Sequence, residues 1–218
     1  MTNPKRLYCA LVLDESGSMS GLRQATLDGA NAWLADQRKD GPADLLTLVT
    51  FDAPNDPTKP RVRTLYDGVP LKEVVDLTHA QYNPDGGTPL FDALGATIAR
   101  IEADQRASDR SVVIVVMTDG LENASVEYNR ETIAHRVEQK ERDGWTLMYL
   151  GANQDAKAVA QSMNFDANFA VTYAPTAAGT DVMYEAVSAS VSGLRSGRTR
   201  RAVSETLHDA SATGEKPR

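Results

Sequence analysis

The stretch Asp14-Glu15-Ser16-Gly17-Ser18-Met19 sets one carboxylate and two hydroxyls at alternate positions directly after an apolar run, Leu7 to Leu13. Carboxylates and hydroxyls are hard oxygen donors, which favour Mg2+ or Mn2+, with Ca2+ as a further candidate. Two more polar positions stand at comparable places. Thr88 lies in Gly86-Gly87-Thr88-Pro89, and Asp119 follows a second apolar run in Met117-Thr118-Asp119-Gly120. Mg2+ takes about six oxygens in an octahedron. Ser16, Ser18 and Thr88 would supply half of such a shell, and water with carboxylates acting through water most of the rest. A shell poor in directly bound carboxylate leaves an ion electrophilic, and an open position would then favour an anionic oxygen from outside.

The elements that must position these donors alternate along the chain. Leu7 to Leu13 reads as a strand buried on both faces, and Leu22 to Arg38 as a helix ended by Gly41-Pro42. Asp44 to Phe51 is a second buried strand. The loop Asp52 to Pro60 holds three prolines and cannot continue it. Arg61 to Tyr66 alternates with period two and reads as an exposed edge strand, and Leu71 to Val75 as one helical turn. Thr88 at N-cap and Pro89 at the first helical position open a helix through Leu90, Leu94, Ile98 and Ile101. Ser111 to Met117, the most hydrophobic run, is expected at the centre of the sheet. Arg130 to Arg142 is a helix, Trp145 to Leu150 a strand, Gln154 to Met163 a short helix, Asn168 to Thr172 a last strand and Asp181 to Leu194 a last helix.

Strands alternating with helices predict an α/β fold: a doubly wound, mostly parallel, Rossmann-like sheet with helices on both faces. Such sheets bind ligands at the carboxyl ends of their strands, near a topological switch point. The three polar clusters fall on that edge. No internal repeat or boundary is visible, so the expectation is one domain over 5–196 and a flexible, Arg-containing tail over 197–218, disordered from about residue 200.

Composition narrows the function. The 218 residues are 41% hydrophobic and 24% charged, enough for a sizeable core. Net charge is −7, and residues 191–218 hold six basic and three acidic side chains, so the remainder carries −10. A nucleic-acid-binding body is not expected. Cys9 is the single cysteine and lies in an apolar run, where it reads as a small hydrophobe. The first apolar run meets Asp14 after seven residues, too short for a signal peptide or membrane span. The expectation is a cytoplasmic protein with no membrane association.

The pattern D-x-S-x-S, a Thr in a Gly-Gly-Thr-Pro loop and an Asp in Met-Thr-Asp-Gly together resemble the metal-ion-dependent adhesion site (MIDAS) of von Willebrand factor type A (vWA) domains. The resemblance in element order runs from about Lys5 to Leu194. It implies a Rossmann-like fold with one antiparallel edge strand. It implies that Ser16, Ser18 and Thr88 bind a divalent cation directly, and that Asp14 and Asp119 act directly or through water. It further implies that the remaining position takes a Glu or Asp carboxylate from a partner protein. None of the five positions departs from the family pattern. Tyr149-Leu150-Gly151-Ala152-Asn153-Gln154-Asp155 also looks similar to stand-alone bacterial and phage members.

Plainer readings stand beside this one. Asp14, Ser16 and Ser18 could form a helix-capping turn, with Ser18 or Ser20 as the cap; Thr88 could be a cap, and Asp119-Gly120 a turn. Asp52 is either a further ligand-orienting carboxylate or a turn residue. Glu122, Asn123, Asn153, Gln154 and Asp155 are candidates for a binding rim or solvated loop residues. His79, His135 and His208 have no spacing that suggests zinc, and the arginines over 195–201 read as a solvated run. Neither G-x-x-x-x-G-K-[ST] nor G-x-G-x-x-G occurs, and an aspartyl phosphotransfer site would want an Asp where Ser16 stands. The chain is therefore expected not to be an enzyme. A metal-dependent hydrolase using the same oxygens and a purely structural ion are the alternatives.

Overall fold

The computed structural model describes residues 5–54, 61–152 and 155–217. Six strands form one sheet: β1 (Leu7–Asp14), β2 (Leu45–Phe51), β3 (Val62–Pro70), β4 (Ser111–Thr118), β5 (Thr146–Ala152) and β6 (Ala170–Tyr173). Their spatial order is β3-β2-β1-β4-β5-β6. All pairings are parallel except β2 with β3, which is antiparallel at the edge. The helices are α1 (Arg23–Asp40), α2 (Leu90–Ala103), α3 (Arg130–Arg142), α4 (Ala156–Ser162), α5 (Ala177–Arg195) and α6 (Arg200–Thr213). The doubly wound sheet predicted from the alternation is the fold observed. β4 shares the centre of the sheet with β1.

Strand alternation divides the core in two. Leu7, Cys9, Leu11 and Leu13 of β1 face one side and pack with Trp33 and Leu34 of α1 and with Met183, Val187 and Val191 of α5. Tyr8, Ala10 and Val12 face the other, with Leu94 and Ile98 of α2, Ile133 and Val137 of α3 and Ala156 and Ala160 of α4. Every residue of β1 is buried, the signature of a strand covered on both faces. The expectation for Cys9 holds: it is buried in the first of these layers, and burial pushes its thiol up to about 12. β1 leads through α1 to β2 on one side, and β4 leads through α3 to β5 on the other. The strand order reverses between β1 and β4, so their adjacent carboxyl ends form the switch point.

Three expectations are corrected. The segment after Arg195 is not a flexible tail over its described length, because α6 occupies Arg200–Thr213. Val203, Leu207 and Ala210 recur at helical spacing and are buried in the α1/α5 layer. Thr199 caps the start, its hydroxyl accepting from the Ala202 N–H at 3.2 Å, and Gly214 ends the helix in the left-handed region at φ +65. The arginines over 195–201 are only in part a solvated run: Arg198 and Arg201 are exposed, Arg195 and Arg200 are not. Arg195 is buried and donates to Asp44 at 2.8 Å and to the Gln37 side chain at 2.8 Å. Arg200 lies over the Phe169 ring, 4.6 Å from its centroid, and donates to the Trp145 carbonyl at 2.9 Å. Arg201 pairs with Glu205 one turn on.

The third correction concerns Thr88. Pro89, not Thr88, is the N-cap, and α2 begins at Leu90. The exposed N–H groups of its first turn are satisfied from outside the helix. Phe91 N–H donates to Glu122 Oε2 at 2.9 Å and Asp92 N–H to Ser125 Oγ at 3.1 Å. Asp92 reciprocates by accepting from the N–H groups of Val126, Glu127 and Tyr128 at 2.8 to 2.9 Å. With the cap supplied by the β4–α3 loop, the Thr88 hydroxyl is left for another role.

Candidate metal centre

Five side chains from three loops converge at the switch point. Asp14 is the last residue of β1 and fully buried; Ser16 is buried one step beyond, and Ser18 is exposed on the 3-10 turn Gly17–Leu22. Thr88, 2% exposed, comes from the loop before α2, and Asp119 from the end of β4. Gly120 reports how closely they meet. A Cβ placed on it would lie 2.8 Å from Thr88 Oγ1 and 3.6 Å from both Asp14 Oδ2 and Ser18 Oγ. Ser16 Oγ lies 3.1 Å from Ser18 Oγ, and Ser18 Oγ donates to Asp119 Oδ1 at 2.5 Å. Only glycine at position 120 leaves that cradle open.

The hydrogen bonds orient the oxygens. Asp14 Oδ1 accepts from the Ser16 N–H at 2.7 Å, and Asp14 Oδ2 accepts from the Thr118 hydroxyl. The Tyr82 hydroxyl donates to the Asp14 carbonyl at 2.7 Å, holding the strand end in place. Neither the 3-10 turn nor α1 has a side-chain cap, so the capping reading of Ser16, Ser18 and Ser20 has no counterpart here. Burial raises the Asp14 carboxyl to about 6, against the pull of Thr118 and Ser16. Burial also raises Asp119, opposed by Ser18.

A chain of backbone bonds ties the three loops to each other. Gly17 N–H donates to the Gly86 carbonyl at 3.0 Å, Asp85 N–H to Glu15 at 2.9 Å and Ala53 N–H to Gly87 at 2.9 Å. Gly86 holds φ +61, and a side chain there would meet the Ala53 carbonyl. Thr88 N–H donates to Asn123 Oδ1 at 2.8 Å, which fixes the Thr88 loop to the loop carrying Asp119.

These residues fit a hard divalent cation. Among the described residues no group of three or more His, Cys, Asp or Glu side chains converges, and the donors here are two carboxylates and three hydroxyls. In an octahedron with bonds of about 2.1 Å, neighbouring oxygens lie about 3 Å apart. The Ser16–Ser18 spacing of 3.1 Å matches that edge. The Ser18 hydroxyl proton already goes to Asp119, so a lone pair remains for an ion.

The remaining candidates have other work. Glu122 accepts from Phe91, Ala124 and Ser125, and Asn123 holds Thr88, so both brace the loop. Asp155 caps α4, accepting from Ala158 N–H at 3.0 Å, while Asn153 and Gln154 lie outside the described residues. Asp52 is buried at the end of β2 and lines a neighbouring cavity of about 350 Å3 with Glu15, Arg63 and Asp85. His135 and His79 are exposed, and His208 meets the Asn168 carbonyl at 3.0 Å. The sequence reading missed Thr118, Glu15 and Tyr82. Glu15 is buried, pairs with Arg63 of the edge strand and accepts from the Asn83 N–H. Its place inside the Asp14–Ser18 run was the available signal.

No protein-family model and no curated protein matches the sequence. Solved structures do. The pilus adhesin SpaC from Lactobacillus rhamnosus GG, in its open conformation, superposes with a TM-score of 0.69 at 14% identity over 89% of this chain. The chain spans 31% of that protein. The vWF domain of the type V pili tip protein Mfa5 from Porphyromonas gingivalis gives 0.59 at 12% identity, over 85% of this chain and 96% of that one. Proximal thread matrix protein 1 from the mussel byssus, with a zinc-occupied MIDAS motif, gives 0.56 at 14% identity, over 84% of this chain and 47% of that one. At such identities the likeness is one of fold, and the fold is that of a von Willebrand factor type A domain.

Proposed function

We propose that the chain is a metal-dependent protein-binding module of adhesion or scaffold type. In this reading Asp14, Ser16, Ser18, Thr88 and Asp119 form a MIDAS that holds a divalent cation, Mg2+ before Mn2+ or Ca2+. When bound, the cation supplies an electrophilic position for an anionic oxygen, here a Glu or Asp carboxylate of a partner protein. The observation that carries the reading is the convergence of Thr88, Asp14 and Ser18 oxygens around Gly120, at the switch point of a vWA-like sheet.

Each residue has a part. Ser16, Ser18 and Thr88 present neutral oxygens; Asp14 and Asp119 accept hydrogen bonds from hydroxyls and balance the charge. Keeping most of the donors neutral leaves the cation hungry for the partner's charge. The reading includes no catalytic step, a cytoplasmic location and a stand-alone bacterial or phage type, the last on the Tyr149-to-Asp155 stretch. The adhesin and pili tip neighbours support protein binding as the use of this fold. No helix among the described residues is long and apolar enough to cross a membrane.

The test is affinity capture by the immobilised chain in Mg2+ and in EDTA, with the Asp14→Ala protein beside it. Partners held only in Mg2+ and only by the unaltered protein are expected. Equal capture in all three overturns the proposal.

A further inference from the structure

Among the described residues three large apolar side chains stand well out in water: Val75, Leu121 and Val126, at 63%, 58% and 72% exposure. Two of them, Leu121 and Val126, sit on the one loop that also carries Asp119. Scattered apolar side chains on a surface mean little, but a concentration at the edge of a binding site marks contact with another molecule. Leu121 lines a cavity of about 350 Å3 together with Leu90, Phe91, Ala158, Val159 and Met163. Ligand pockets run from about 300 to 1,000 Å3, so this one suits a side chain or two and not a cofactor.

Position and lining say what would enter it. Leu121 is two residues from Asp119, and Leu90 two residues from Thr88, so each wall starts within about 7 Å of chain from a candidate ligand. The polar edge is formed by Glu122, Arg130 and Ser162. Glu122 is spent on the N–H groups of Phe91, Ala124 and Ser125. Arg130 is exposed and has no ion-pair partner among the described residues. The Glu122 and Arg130 charges offset each other, so the apolar lining sets which side chain the cavity takes, and the candidate metal centre sets the acidic residue beside it. An extended segment advances about 3.3 Å per residue, so two to four residues bridge the step from metal centre to cavity.

We infer that this cavity is a specificity subsite: it takes a large aliphatic side chain of the same partner segment whose carboxylate meets the candidate metal centre. The motif recognised is an acidic residue with Leu, Ile or Met two to four positions away. This inference rests on the metal-dependent reading above.

The experiment selects a fully randomised displayed dodecapeptide library on the immobilised full chain in Mg2+, with selections in EDTA and on Asp14→Ala, Leu121→Ser and Val159→Ser. Leu121 is exposed and Val159 half-buried, so neither change threatens folding. The expected result is Mg2+-dependent enrichment of an acidic residue with an aliphatic one at fixed spacing. Peptides so selected should bind Leu121→Ser and Val159→Ser about tenfold more weakly, the worth of burying one such side chain. Calorimetric Mg2+ affinity of both variants should stay within about twofold, as for independent sites. Acid enrichment without an aliphatic preference overturns the subsite and leaves the metal-dependent function standing. Absence of any Mg2+-dependent acid enrichment overturns both. Aliphatic enrichment that survives EDTA and Asp14→Ala overturns the coupling of cavity and ion.

Discussion

The two ends of β1 solve the same electrostatic problem in opposite ways. At the amino end, Asp44 is buried beside the start of the strand and accepts from the Leu7 N–H at 2.9 Å. The Arg195 guanidinium stands against it at 2.8 Å, itself anchored to Gln37. At the carboxyl end, Asp14 is equally buried and Asp119 lies beside it, and the donors that face them are the Ser16 N–H and the Thr118 and Ser18 hydroxyls. Among the described residues neither forms an ion pair. A buried carboxylate without a counter-charge is costly. The chain provides an arginine for one end and none, among the described residues, for the other; in the proposed reading a cation supplies that charge.

The largest expected effect tests the closed end. Arg195→Met strands Asp44 in the core and should cost about 3–5 kcal/mol in urea unfolding, unchanged by Mg2+. A loss that Mg2+ repairs would mean the two ends are not separate. Next comes the open end. Asp14 has its folded value raised to about 6 from an ordinary 3.8, so its contribution favours folding below about pH 4 and is lost as pH rises through 6. Metal-free protein should therefore lose up to about 3 kcal/mol across that window. Asp14→Asn should flatten most of the step, and Mg2+ at pH 7 should restore stability to the unaltered protein. A urea midpoint that is flat with pH in metal-free protein would break the comparison.

Gly120→Ala probes the cradle itself. Its methyl would crowd Thr88 Oγ1, and calorimetry should show Mg2+ affinity falling about tenfold. Metal-free stability should move by less than about 1 kcal/mol, because only the Thr88 hydroxyl has to give way. Smallest of all, Ser125→Ala removes one cap of α2 and should cost about 1 kcal/mol by thermal unfolding, with Mg2+ affinity nearly unaltered.

Much of this was legible in the residues. The two-faced apolar run of β1 and the alternation of strands and helices carry the sheet, and three short polar motifs carry the donor set. What escaped has a physical pattern. Thr88 read as a cap because Thr-Pro before an apolar stripe is a good helix start; the cap instead comes from Glu122 and Ser125, more than thirty residues away. No local rule reaches that far. α6 escaped for a different reason. Its Ser, Thr and Arg content suggested a solvated tail, while Val203, Leu207 and Ala210 already held helical spacing between Thr199 and Gly214. Composition was allowed to outweigh periodicity, and the buried face belonged to periodicity. The buried Arg195 likewise looked like one of a basic run, since its partner Asp44 is remote in the chain.

The backbone bonds that knit Gly17 to Gly86, Ala53 to Gly87 and Asn123 to Thr88 give the centre the character of a rigid macrocycle rather than an open-chain chelator. The entropy of gathering the donors is spent when the chain folds, not when an ion arrives. If the centre takes up the proposed ion, folding and uptake are then expected to be separable events, unlike those of small domains that need their metal to fold at all. Removing the ion with a chelator should disarm such a protein without dismantling it, and returning the ion should restore grip as fast as water can leave its shell. A contact built this way can be made and broken many times by the same molecule.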